Sequence, residues 1–122
     1  MEEIDKIYSN SFGISFRWKN ALVKNVEKTQ IIFRDTGVFL STSEIKNFSC
    51  LITAAIKRSL ACGKCSYSDS CKSILLETPF NHISFAVNYN ELINIDDLIK
   101  GTLFNLELNT VLNKNTIKKN IP

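Results

Sequence analysis

The chain has 122 residues, 44% of them hydrophobic and 22% charged, with a formal charge of +3. One core at this length buries roughly two-thirds of the chain's surface, so a single domain is expected that needs neither metal nor disulfide to fold. The charge is too mild to demand a nucleic-acid or membrane partner, and no apolar run is long enough to span a bilayer.

Residues 1–11 read as a polar lead-in, and the acidic start Met1-Glu2-Glu3 lacks the basic and then apolar succession of a signal peptide. A soluble, cytoplasmic protein is therefore expected, in which the four cysteines stay reduced. From Phe12 the pattern alternates. Phe12, Ile14, Phe16 and Trp18 share one face, and Gly13, Ser15 and Arg17 share the other. Period two with aromatic and β-branched residues predicts a half-buried strand, its aromatics toward the core and Arg17 toward water. A turn at Lys19-Asn20 would lead into a second short strand, Ala21 to Val26.

Gln30 to Arg34 is the next expected strand, and Val38 to Leu40 its partner. Between them Asp35-Thr36-Gly37 is hairpin chemistry, with glycine supplying a positive φ. Ser41 stands three residues before Glu44 and ahead of an apolar run, the signature of a capping box. The helix that follows sets Ile45, Phe48, Leu51, Ile52, Ala55 and Ile56 on one stripe and should end near Ser59.

The scheme then recurs. Ser73 to Leu76 and Ile83 to Val87 read as strands around a turn at Pro79-Phe80-Asn81, and Asn88 precedes Glu91 as Ser41 precedes Glu44. Leu92, Ile95, Leu98, Ile99 and Leu103 follow Ile45, Phe48, Leu51, Ile52 and Ile56 at a constant offset of 47. The pattern predicts an internal ββα duplication and an α+β fold, an antiparallel sheet with two helices on one face. Phe48, Leu51, Ile52, Leu98 and Ile99 should be core. Gly101 marks a kink or a close crossing in the second helix, which should run to about Leu112. Residues 114–122, with Lys114, Lys118 and Lys119, read as a flexible tail.

One chemical constellation stands out, Cys62-Gly63-Lys64-Cys65-Ser66-Tyr67-Ser68-Asp69-Ser70-Cys71. Two cysteines separated by two residues can grip one ion, because the short loop turns both sulfurs inward; Cys71 lies within loop reach. A tetrahedral site needs a fourth ligand. Cys50 and His82 are the candidates, with Cys50 favoured although it lies nearly opposite the apolar stripe. Zinc would suit such a site. Reduced, unligated thiols and a redox pair at Cys62 and Cys65 are the alternatives.

The spacing of Cys62, Cys65 and Cys71 resembles the first three ligands of the auxiliary iron–sulfur motif in SPASM domains of radical-SAM enzymes. The resemblance implies an iron–sulfur cluster, but it covers only residues 62–71, and the motif's next cysteine would fall at Leu75. The stretch Phe33-Arg34-Asp35-Thr36-Gly37, with Ser41, Glu44-Ile45 and the loop from Cys62 to Leu76, resembles small proteins of the Bacteroidetes (Flavobacteria-like) with no known activity. That resemblance implies a bacterial source and nothing about mechanism.

No nucleophile elbow, phosphate-cradling glycine loop or His/carboxylate pair is present in the sequence. Asp96 and Asp97 read as partners of the helix dipole. Phe16-Arg17-Trp18-Lys19 mixes aromatic and basic residues as nucleic-acid-binding sheets do, yet its alternation is also that of a core strand with a solvated outer face. The expectation is a non-enzymatic binding or regulatory domain with a protein partner or a second copy of itself. A thiol redox protein is the alternative, and a nucleic-acid accessory protein a weaker one.

Overall fold

A computed structural model describes residues 4–18, 28–62 and 74–120, with side chains described for 4–18, 28–60 and 74–108. The elements are β1 (Ile4–Ser9), β2 (Gly13–Trp18), β3 (Thr29–Phe33), β4 (Thr36–Leu40), α1 (Thr42–Cys62), β5 (Ile74–Glu77), β6 (Ser84–Val87) and α2 (Tyr89–Asn120). The fold is α+β. Strands β1 to β4 pair in chain order as one antiparallel sheet, and β5 and β6 form a second, two-stranded sheet rather than extending the first. A strand at Ala21 to Val26 lies outside the described residues.

Each helix begins where the sequence places a cap. The Ser41 N–H donates to Glu44 Oε1 at 2.8 Å and the Glu44 N–H returns to Ser41 Oγ at 3.2 Å. Asn88 and Glu91 repeat the exchange at 3.0 and 2.7 Å. These bonds satisfy amides that a helix start leaves without intrahelical partners. Helix α1 runs past Ser59 to Cys62, where Gly63 follows in the sequence, and α2 runs past Leu112 to Asn120. No glycine or proline stands between Gly101 and Pro122 to stop α2 sooner, so Lys114, Lys118 and Lys119 belong to its last turns rather than to a tail.

The helices pack together, α2 over β1 and β2, and α1 against β4 and β5. Their shared core holds Ile45, Phe48, Ile52 and Ala55 from α1 and Leu92, Ile95, Leu98, Ile99 and Leu106 from α2. It is closed by Ile31, Phe33, Leu40, Leu76 and Val87 from the strands. Leu51 is only half-buried, because it stands at the border of the stripe. Residues 4–9, expected as lead-in, form an edge strand instead. A bulge between Lys6 and Tyr8 brings Ile7 and Tyr8 both against the core.

The β3–β4 turn also differs from expectation. Phe33 pairs with Thr36, so the loop is Arg34-Asp35, and Arg34 rather than Gly37 takes the positive φ, 51°. Arg34 is held there by an ion pair with Glu91 and by its guanidinium lying 5.7 Å from the centre of the Phe12 ring. The second hairpin has a longer loop, from Thr78 to Ile83, since Glu77 pairs with Ser84. The order strand, strand, helix recurs, and both helices start at the offset of 47 (Thr42 and Tyr89). Strand register and sheet environment do not keep it, so a duplication does not follow from the fold.

The largest departure concerns the faces of β2. Gly13 and Ser15 pair with Phe33, Ile31 and Tyr8, which pack into the core under the helices, and Ile14, Phe16 and Trp18 point to the other side. Ser15 is fully buried, its hydroxyl 2.6 Å from that of Thr102 on α2. A side chain at Gly13 would run into the Ile32 carbonyl of β3 and would meet Phe33 and, on α2, Leu98, each at 2.9 Å. The small residues are there because α2 comes close. They are the covered face of the strand; Phe12, which precedes β2, joins the core shared with the helices, and Phe16 is buried on the other side of the sheet.

Candidate functional site

Of the cysteines nominated from sequence, Cys65 and Cys71 lie outside the described residues, as does the side chain of Cys62, whose backbone ends α1. Cys50 is a free, exposed thiol on the same helix. Twelve residues of α-helix separate Cys50 from Cys62 by about 18 Å at 1.5 Å per residue. Ligands of one zinc ion sit about 2.3 Å from it, so these two cannot share an ion while α1 is intact. The preference for Cys50 as fourth ligand is corrected on that ground.

His82 is exposed, in the loop of the β5–β6 hairpin, with φ 68°. The cysteine loop enters this hairpin at its other end, at Ile74, across the length of β5. Four strand residues span about 10 Å. Around His82 the polar contacts belong to the turn itself: the Thr78 hydroxyl donates to the carbonyls of Phe80 and Ile83 at 3.1 and 2.8 Å. Among the described residues no group of His, Cys, Asp and Glu is arranged to hold a metal ion.

Asp96 and Asp97 lie beyond the first turn of α2, so the dipole gives them little. Each is engaged elsewhere. Asp96 pairs with Lys100, which also donates to Thr53 Oγ1 on α1 at 3.1 Å. Asp97 Oδ2 accepts from the Tyr8 hydroxyl and from Asn10 Nδ2, both at 2.9 Å. The Tyr8 phenol is pushed above its ordinary value of 10.0, first by the hydrogen bond to Asp97, then by desolvation and by the carboxylate's charge. Asn10 Oδ1 meanwhile accepts from the amides of Phe12 and Gly13 at 2.8 and 2.9 Å. This cluster ties the β1–β2 turn to α2 and has no pair of groups poised for acid–base exchange.

The surface that sequence reasoning missed is the side of the four-stranded sheet turned away from the helices. The register places Ile4 beside Trp18, Lys6 beside Phe16, and Phe39 beside Gln30 there. Ile14 and Ile32 are neighbours on the same side. Phe16 is buried and packs edge-on against Trp18, with ring centres 5.2 Å apart. Ile32 is 38% exposed, and Ile14, Trp18 and Phe39 are half-buried. Lys28 lies over the Phe39 ring at 5.7 Å. No acidic residue stands on this side among the described residues. The signal that would have found it is the smallness of Gly13 and Ser15, which marks a helix at close approach more than it marks solvent.

No described helix is long and apolar enough to cross a membrane. No protein-family model, curated protein or solved structure compared with this chain matches it.

Proposed function

We propose that the chain is a small non-enzymatic binding domain that recognises a protein partner through the outer face of its four-stranded sheet. One observation carries this reading: β2 turns Ile14, Phe16 and Trp18 away from both helices and presents Gly13 and Ser15 to them. An antiparallel sheet with a free face ordinarily alternates apolar-in and polar-out. Here the more apolar side of β2 is the one over which no described helix lies, as in a sheet that serves as a middle layer. A photo-reactive side chain at position 32 should give a discrete cross-linked protein in cells that express the chain. The same group at Ile93, exposed on α2, should not. Equal labelling from both positions, or none from either, refutes the assignment.

The cysteine loop has its own role in this proposal, a zinc staple formed by Cys62, Cys65 and Cys71 with a ligand other than Cys50. Cys62 ends α1, at the negative end of the helix dipole, and the last turn of α1 has no basic residue. A helix C-terminus disfavours a free thiolate, whereas a divalent ion supplies the offsetting charge directly. The placement weighs against Cys62 as the attacking thiol of a redox pair. Elemental analysis of protein purified without air tests the staple: zinc near one equivalent supports it, and visible absorption would indicate an iron–sulfur cluster instead.

A further inference from the structure

Resting on the binding face just proposed, we infer that its occupant is an acidic amphipathic α-helix of a partner protein. Three features of the face define that chemistry. Ile14 and Ile32 stand side by side near the β3–β4 turn, Phe16, Gln30 and Phe39 cross the middle of the face, and Trp18 lies beyond Phe16, so that Gln30 alone interrupts the kind of apolar surface a helix stripe covers. Its charged residues are Lys6, exposed on the edge strand β1 beside Phe16, and Lys28, just before β3 and over the Phe39 ring, with no acid on this side among the described residues. Positive charge set among apolar residues is complementary to a helix with leucine-like residues on one side and carboxylates bordering them.

The same features argue against the other occupants. A second copy would bring its own Lys6 and Lys28 against these, and like charges across an interface oppose association. Single-stranded nucleic acid supplies negative charge, but its bases need free ring faces to stack on. Phe16 is buried and engaged edge-on by Trp18, and the Phe39 ring is covered by Lys28. Aliphatic Ile14 and Ile32 offer a base no ring at all.

Trp18 is the only tryptophan, so its emission reports on this face alone. Three probes free of tryptophan are titrated into the full chain: a synthetic Leu/Glu amphipathic helix, its Leu/Lys counterpart, and an oligothymidylate. The Leu/Glu helix should shift Trp18 emission to the blue with saturation, and the other two should not. Reversing both charges, Lys6→Glu with Lys28→Glu, should weaken that binding about tenfold and transfer the response to the Leu/Lys helix. Circular dichroism of the double variant confirms that it is folded. A response to the oligonucleotide or the Leu/Lys helix in its place overturns the acidic-helix inference and leaves the binding face standing. Silence to all three, with emission already that of an indole shielded from water, overturns both, because the face is then closed within the chain.

Discussion

Gly101 shows how a single hydrogen atom sets the approach of two elements. A Cβ there would run into the ring of Tyr8, whose hydroxyl is fixed on Asp97. On a free helix, Gly→Ala gains about 1 kcal/mol. Here overpacking costs roughly 1–3 kcal/mol, so Gly101→Ala should lower stability in chemical denaturation and should raise it once Tyr8→Ala has cleared the space. Tyr8 itself makes a pH prediction. Its folded-state phenol titrates above 10.0, so the contact's contribution is complete below the unfolded value and is lost as pH rises through the folded one. The phenolate absorbance that disappears in Tyr8→Phe should titrate above 10, and Asp97→Asn should bring it back toward 10.0. An unmoved titration in Asp97→Asn would show that the carboxylate is not the cause.

At the scale of elements, the helices were legible because a cap and a stripe are local facts. Ser41 with Glu44 and Asn88 with Glu91 form the bonds that their spacing implies, and Ile45, Phe48, Ile52, Leu92, Ile95, Leu98 and Ile99 are buried as the threes and fours require. The stripe's edge was not legible. A helical wheel cannot tell how far the neighbouring element wraps, and Leu51 falls at that edge. Phe48→Ala and Leu98→Ala should each cost roughly 2–5 kcal/mol, and Leu51→Ala distinctly less. The faces of β2 were misread for a related reason: alternation establishes that two sides differ, and what lies over each is decided by α2, nearly ninety residues away from Ser15. The β3 strand offers the check. Ile31 is fully buried toward the helices and Ile32 is 38% exposed on the other side, so Ile31→Ser should cost several kcal/mol and Ile32→Ser under about 1 kcal/mol. Equal losses would mean that both faces are closed core.

For the whole molecule, the question is whether the cysteine loop holds the fold together or only itself. The local spacing of Cys62, Cys65 and Cys71 was readable, and the distance from Cys50 was not, because it depends on α1 continuing unbroken to Cys62. The core offers the way to decide what the loop does. Ile31, Phe48, Ile52, Leu76, Leu92, Leu98 and Ile99 are buried against one another from five elements, β3, α1, β5, α2 and, through Val87, β6. Among the described residues that packing joins both sheets to both helices. A zinc staple in the loop should therefore add little to global stability. Chelation should release one equivalent of zinc while lowering the melting temperature by less than about 5 °C, the shift that roughly 1 kcal/mol makes at this size. Thiolate ligands must take up protons as the ion leaves, so release at a fixed chelator concentration should become easier as pH falls. Proteolysis within 63–73 should accelerate in the stripped protein while the core amides keep their protection from hydrogen exchange. Collapse of the whole domain on chelation would instead make the metal part of the fold, and the independence of the core would be wrong.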